Sequence, residues 1–438
     1  MDVGVRIPLV LSLVGVALSE AGVIAAHAGF AESLWQSGQQ PLGPVYPGQL
    51  FAAGSRPTDV ALADLDGDGA LDLVVAISRA RGVSLRAGRG DGTFGPERRL
   101  PDQVLPERVN LADFNGDDSI DILSSDEDGF TVWLNAGDGT FPESVRVNVW
   151  PDATDVGVAD LTGDGVQDVV VVRNQNNFDI FEGDGTGDFR LLQTVHDTRR
   201  FESVALGDLD LDGDVDLALF NVRRSSLPGV VRYNDGRGRF DESQEIDGLP
   251  GDRVLAADID GDGDLDLMGI ERRFYSPNVP IVRNLGERMF ADEDWILTGD
   301  ATVTAFGVAD INGDGLNDLL TAGLRFSSRV SDVLVFDGQA DGTLAEPRGD
   351  VTAEYPSAVA IGDLNGDGLA DAVIANEKSD DVGVLLARDP GRFASRQEFF
   401  VGDAPRGLAV ADFTGDGHLD ALTTEAIDDD LMLLPLPR

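Results

Sequence analysis

Apolar and polar positions along this chain follow one pattern, and the pattern recurs eight times. An alternating run such as "TDVALAD" or "RGLAVAD" comes first, then a nine-residue stretch of mostly aspartate and glycine. A β-branched apolar run such as "LDLVVAI" or "VQDVVVV" follows. Alternation with period two, and short apolar runs bounded by Gly and Asp, both read as strands. A third strand comes next ("GVSLRAG", "FTVWLNAG", "FDIFEG", "GVVRYND", "PIVRNLG", "VLVFDG", "VGVLLA"). It runs into a glycine-rich turn that ends in a bulky apolar residue at Phe94, Phe141, Phe189, Phe240, Phe290, Leu344 or Phe393. A fourth strand leads into the next repeat. No helical period competes after the N-terminal segment.

The acidic stretches begin at Asp64, Asp113, Asp160, Asp208, Asp258, Asp310, Asp363 and Asp412, with spacings of 49, 47, 48, 50, 52, 53 and 49 residues. A period near 50 means a repeat architecture built from four-stranded antiparallel meanders. One such sheet cannot bury both of its faces, and radial packing of sheets around an axis solves this, so an all-β propeller is predicted. The last repeat holds only three strands, ending in "DDDLMLLPLPR". The segment before the first acidic turn aligns with the segment before the last one, which holds the fourth strand of the seventh repeat: Pro57 with Pro405, Gly54 with Gly402, Phe51 with Phe399. Residues 45–54 are therefore expected to complete the last blade and close a ring of eight. Seven blades with one repeat displaced is the alternative.

Oxygen-bearing side chains occupy positions one, three, five and nine of every acidic turn. The sets are Asp64, Asp66, Asp68, Asp72; Asp113, Asn115, Asp117, Asp121; Asp160, Thr162, Asp164, Asp168; and Asp208, Asp210, Asp212, Asp216. They continue with Asp258, Asp260, Asp262, Asp266; Asp310, Asn312, Asp314, Asp318; Asp363, Asn365, Asp367, Asp371; and Asp412, Thr414, Asp416, Asp420. Bare carboxylates this close repel one another. A hard dication with about 6–8 oxygen ligands removes the repulsion, and Ca2+ suits a flexible oxygen cage better than Mg2+. Up to eight Ca2+ ions are expected, with position seven adding a backbone carbonyl and position nine able to bind through both oxygens. Glycine at positions four and six allows the left-handed backbone of so tight a curl. Binding is expected to be tightest in the all-aspartate copies and weakest at Asp113, where Asp118 replaces the usual glycine. Isolated Asp/Gly hairpin turns are common in β proteins, but eight in one frame argue for a shared ligand.

The turns and the phenylalanine-containing glycine turns make residues 45–438 resemble the FG-GAP/VCBS repeat family, related to the N-terminal propeller of integrin α subunits. The resemblance implies a calcium-binding propeller, an extracellular or cell-surface setting, and adhesion or glycan binding as the default role. It does not imply an integrin-like heterodimer.

Composition narrows the setting. The net charge of -46 argues against binding nucleic acid through a basic surface. The absence of cysteine excludes disulfides, thiolate metal sites and a cysteine nucleophile. Arg6, the apolar run Ile7 to Ser19 and the small-residue sites near Ala28 and Ala31 read as an export signal over residues 1–31, followed by a linker over 32–44. The mature protein is expected to be an exported monomer, secreted, periplasmic or at the cell surface, with no membrane-spanning segment.

The loops at the end opposite the acidic turns hold arginines and aromatics: Arg223, Arg224, Arg272, Arg273, Phe274, Tyr275, Arg325, Phe326 and Arg329, with Arg56, Arg108, Arg200, Arg253 and Arg406 in neighbouring connections. Guanidinium forks suit carboxylates and sulfates, so a glycan or protein ligand of anionic character is expected here. Ordinary surface arginines in a chain with one lysine are the competing reading. An enzyme is disfavoured: outside the leader only His196 and His418 are present, in different repeats, and no nucleophile elbow appears. The enzyme alternative is a lyase on acidic polysaccharide with Tyr275 as base and Arg272 or Arg273 on the substrate carboxylate. The other alternative is a purely structural envelope scaffold.

Overall fold

The protein is described from a computed structural model. The described residues are 24–26, 49–52, 57–78, 82–100, 105–150, 153–173, 176–221, 228–247, 253–270, 278–291, 294–297, 301–325, 331–350, 355–389, 392–393, 396–425 and 430–436. They form eight four-stranded antiparallel blades of a β-propeller, with no helix long and apolar enough to cross a membrane. Blade one is typical: Pro57–Ala63, Asp72–Ile77, Gly82–Arg86 and Arg98–Leu100, each strand paired with the next.

The ring closes as the alignment predicts. Gln49–Ala52 pairs antiparallel with Asp430–Leu434, matching Gln49 to Leu433 and Ala52 to Asp430, and becomes the fourth strand of blade eight. Phe51 meets Phe94 edge-on at 5.0 Å, tying this strand to blade one. Ile24–Ala26, inside the segment expected to act as a leader, pairs with Leu408–Val410 on the innermost strand of blade eight. The rest of the leader and the linker lie outside the described residues.

Alternation along the inner strand has a specific cause here. Val60 and Leu62 pack toward blade eight, against Ala409, Leu422 and Leu433. Ala61 and Ala63 pack toward blade two, against Val109, Leu111 and Ile122. Successive side chains of a strand point to opposite faces, and in a propeller both faces meet a neighbour. Eight hydrophobic clusters result, one for each blade-to-blade interface around the ring. Burial fades outward: Asp72–Ile77 is buried throughout, whereas Arg98 and Arg99 on the fourth strand are exposed.

At the end opposite the acidic turns, the start of the inner strand is bulged, so that Pro57 faces Ile77 and Asp59 faces Ala76. Thr58 is the extra residue. Its hydroxyl lies 3.3 Å from the Ala76 carbonyl and 3.2 Å from the Pro106 carbonyl of the next blade. Thr154, Thr304 and Ser357 repeat the arrangement toward Phe201, Pro356 and Pro405. A bulge re-aims a side chain out of its own ladder, and here it stitches neighbouring blades.

Candidate metal centre

All eight acidic turns join the first and second strands of their blades and lie at one end of the propeller. The carboxylate at position one organises the loop. In the first turn, Asp64 Oδ1 accepts the Gly67 N–H at 2.8 Å and Asp64 Oδ2 accepts the Gly69 N–H at 2.9 Å. Asp68 Oδ1 then accepts the Ala70 N–H at 2.8 Å. The bonds to position one at Asp113, Asp160, Asp310 and Asp363 follow the same scheme. Loop backbone and carboxylates thus hold each other in a tight curl.

Position nine behaves differently from the other three. It is buried in every copy. Asp121 Oδ2 accepts the Phe114 N–H at 2.9 Å, and its Oδ1 accepts the Asn135 N–H at the end of the third strand at 2.7 Å. The same double acceptance occurs at Asp72, Asp168, Asp216, Asp266, Asp318 and Asp371. This aspartate is therefore a structural clamp between turn and third strand, and each of its oxygens enters any metal shell with one lone pair already engaged.

Burial makes these clamps weaker acids than an ordinary aspartate. It pushes the carboxyls of Asp72, Asp121, Asp318, Asp371 and Asp420 up to about 6, and those of Asp216 and Asp266 up to about 7. Asp168 is raised by the same cause. An adjacent dication would favour the ionised form and oppose that shift.

Three turns bring three carboxylates within 4.8 Å of one another: Asp64, Asp66 and Asp72; Asp208, Asp210 and Asp216; Asp258, Asp260 and Asp262. These are the copies with aspartate at position three. An oxygen-only donor set on a tight loop fits a hard dication. Two turns depart from the glycine frame. Asp118 (φ 65) stands at position six of the second turn and Leu211 (φ 63) at position four of the fourth, both in the left-handed region. Leu211→Gly is expected to stabilise the metal-free protein by about 1 kcal/mol through removal of that steric cost, read as a rise in Tm.

The glycine-rich turn between the third and fourth strands lies at the same end and docks on the acidic turn of the preceding blade. Asn135 Nδ2 donates to the Leu65 carbonyl at 2.7 Å, Asn234 to Leu161 at 2.8 Å and Asn284 to Leu209 at 2.8 Å. Phe189 packs on Phe114 and Phe94 on Phe413, ring against ring. The residue patterns "NAG", "NDG" and "NLG" were the available signal for these asparagines, but their partners lie 70 to 75 residues away.

The sequence matches the FG-GAP-like repeat over residues 64–124, 113–171, 160–219, 310–374 and 363–423, more than half of the chain. The chain belongs to the FG-GAP-like repeat family. Each FG-GAP-like match runs from one acidic turn through the next; the glycine-rich turn that docks on its first acidic turn lies just past its end, as Asn135 on Leu65 and Asn234 on Leu161 show. Comparison with curated proteins finds no match. Among solved structures, this FG-GAP-like propeller is similar in fold to an Agrocybe aegerita lectin that recognises non-reducing terminal N-acetylglucosamine. The two are 19% identical over 75% of this chain and 90% of the lectin, with a TM-score of 0.53. BBS1N, in its complex with ARL6DN, is 12% identical over 89% and 94% of the respective chains, with a TM-score of 0.48. A protein from Lactobacillus plantarum is 15% identical over 82% and 96%, with a TM-score of 0.47.

Arg223, Arg224, Arg272, Arg273, Phe274, Tyr275, Phe326 and Arg329 lie outside the described residues, and Arg325 is placed only by its backbone pairing with Ala301. The described arginines toward the end opposite the acidic turns are largely held by the protein's own carboxylates. Arg108 pairs with Asp155, Arg146 with Asp126, Arg173 with Asp179 at 2.9 Å, Arg232 with Asp197 at 2.6 Å, Arg396 with Asp381 at 2.8 Å and Arg406 with Glu377 at 2.9 Å. Arg200 is exposed. Trp150, which the sequence reading passes over, is 78% exposed at this end, and its carbonyl accepts a bond from Arg173.

Proposed function

We propose that the protein is an exported, calcium-clasped β-propeller that acts as a binding module for a glycan. The observation that carries this reading is the division of labour between its two ends. One end holds eight acidic turns in a single frame, with glycine-rich turns of following blades docked on them, and suits Ca2+ as a rigidifying ion. The other end presents the variable connections and an exposed tryptophan, an apolar platform with a polar edge of the kind that sugar rings stack on. The fold is also that of a lectin that recognises terminal N-acetylglucosamine. The ligand itself is not specified by that likeness.

The test is a glycan array probed with purified protein in Ca2+ and in chelator. Discrete binding that weakens in chelator, and that Trp150→Ala lowers at least about tenfold in affinity, is the expected result. Tenfold corresponds to about 1.4 kcal/mol, within reach of one buried aromatic contact. Binding to no glycan class in Ca2+ would remove the reading.

A further inference from the structure

In the glycine-rich turn, the residue two before the bulky apolar one is glycine at Gly92, Gly139, Gly187, Gly238 and Gly342, with φ between 69 and 90. Gly187 abuts Leu134, whereas Gly92, Gly139, Gly238 and Gly342 abut position three of the acidic turn on the preceding blade. A side-chain carbon added there would lie 2.9 Å from the Thr414 methyl, 3.1 Å from Asp66 Cβ, 3.1 Å from the Thr162 methyl and 3.0 Å from Asp260 Oδ2, respectively. In blade five that residue is Arg288. It keeps the left-handed backbone (φ 62) that an L residue rarely adopts, and its neighbour Glu287 is also left-handed at φ 50.

The side chain has a specific destination. Arg288 Nε donates to Asp210 Oδ2 at 2.6 Å and Nη1 to Glu242 Oε2 at 2.6 Å. Its guanidinium carbon sits 4.1 Å from the centroid of the Tyr233 ring. The Asp210 side chain is only 4% exposed, so the positive charge is delivered to a carboxylate that faces the centre of its turn. Asp210 is one of the three carboxylates that converge in the fourth turn. The guanidinium holds Asp210 Oδ2, while Oδ1 accepts the Asp212 N–H, so a dication at this carboxylate would compete with Arg288.

We infer that Arg288 is the resident cation of the fourth acidic turn, a built-in competitor that makes this turn a weak metal site despite its full set of aspartates. The sets grade accordingly. Among the described residues no arginine pairs with Asp66 in the first turn, Asp260 in the fifth has Arg283 at 3.4 Å, and Asp210 in the fourth is held at 2.6 Å. Residue count at positions one, three, five and nine would rank the three alike; the neighbouring blade separates them.

This inference rests on the calcium reading, and the experiment separates the two. Arg288→Gly restores the residue that six other blades carry at this point in the sequence, so the fold is expected to survive. Ca2+ stoichiometry by native mass spectrometry and affinity by calorimetry are compared between the natural protein and Arg288→Gly. The variant is expected to gain one ion, or to tighten one class of sites at least tenfold. Tb3+ locates the change: emission sensitised through Tyr233 should rise in Arg288→Gly and vanish in Arg288→Gly with Tyr233→Phe. Ca2+ binding that is the same in both proteins would overturn this inference alone. Binding to neither protein would overturn it together with the calcium reading.

Discussion

Chelation of the purified protein is expected to lower its Tm by about 10 °C or more, and re-addition of Ca2+ is expected to restore it. An ion held only by the folded state adds about 2.7 kcal/mol at a concentration 100 times its Kd. For domains of 150–250 residues each kcal/mol moves Tm by roughly 2–4 °C, and several turns act together here. Repulsion adds to the effect: a chain of net charge -46 gathers carboxylates at one end, and exposed carboxylates in the turns lose their counter-charge when the ion leaves. Mg2+ should substitute poorly, because it prefers strict octahedral geometry with retained water. Differential scanning calorimetry in Ca2+, Mg2+ and chelator checks all three points. An unchanged Tm in chelator would show that the aspartates close their loops without a metal, through the backbone bonds already described.

Replacement of a clamp aspartate is the second large effect, and it is expected whether or not metal is present. Asp121→Ala strands the buried N–H groups of Phe114 and Asn135. An unsatisfied buried donor costs about 1–3 kcal/mol, so a loss of roughly 2–6 kcal/mol is expected from the pair. Asp117→Ala in the same turn removes an exposed acceptor for the Ser119 N–H and is expected to cost much less in metal-free protein. The contrast decides between roles. If the two substitutions are equally damaging in Ca2+ and equally mild in chelator, position nine is a metal ligand first. If Asp121→Ala stays severe in chelator, it is a clamp first. Thermal unfolding of both variants with and without chelator measures the difference.

The acidic turns, the blade boundaries and the ring closure were legible because they are local and repeated. A frame of oxygen side chains at one, three, five and nine recurs in one chain direction, and the apolar runs around it have the period of strands. Closure followed from one alignment, Phe51 on Phe399 and Pro57 on Pro405, that spans the whole chain. Position nine was legible as an acidic residue but not as a clamp. One of its two partners, for example Gly88 for Asp72, lies just past the end of the third strand, at a point that depends on the turn that follows.

The sequence alone determined the unit and its count: eight meanders, each with an acidic turn of set spacing, and a first segment shaped to complete the last blade. Those features need only neighbours along the chain, so hydrophobic period and turn chemistry suffice to read them. Only the tertiary structure decided what each turn meets. Asn135 reaches Leu65, Thr58 reaches Pro106, and Arg288 reaches Asp210 across 78 residues of sequence. These contacts depend on how adjacent blades sit against each other, and no spacing along the chain carries that information. For that reason three turns with the same aspartates can differ in charge balance once the ring has closed.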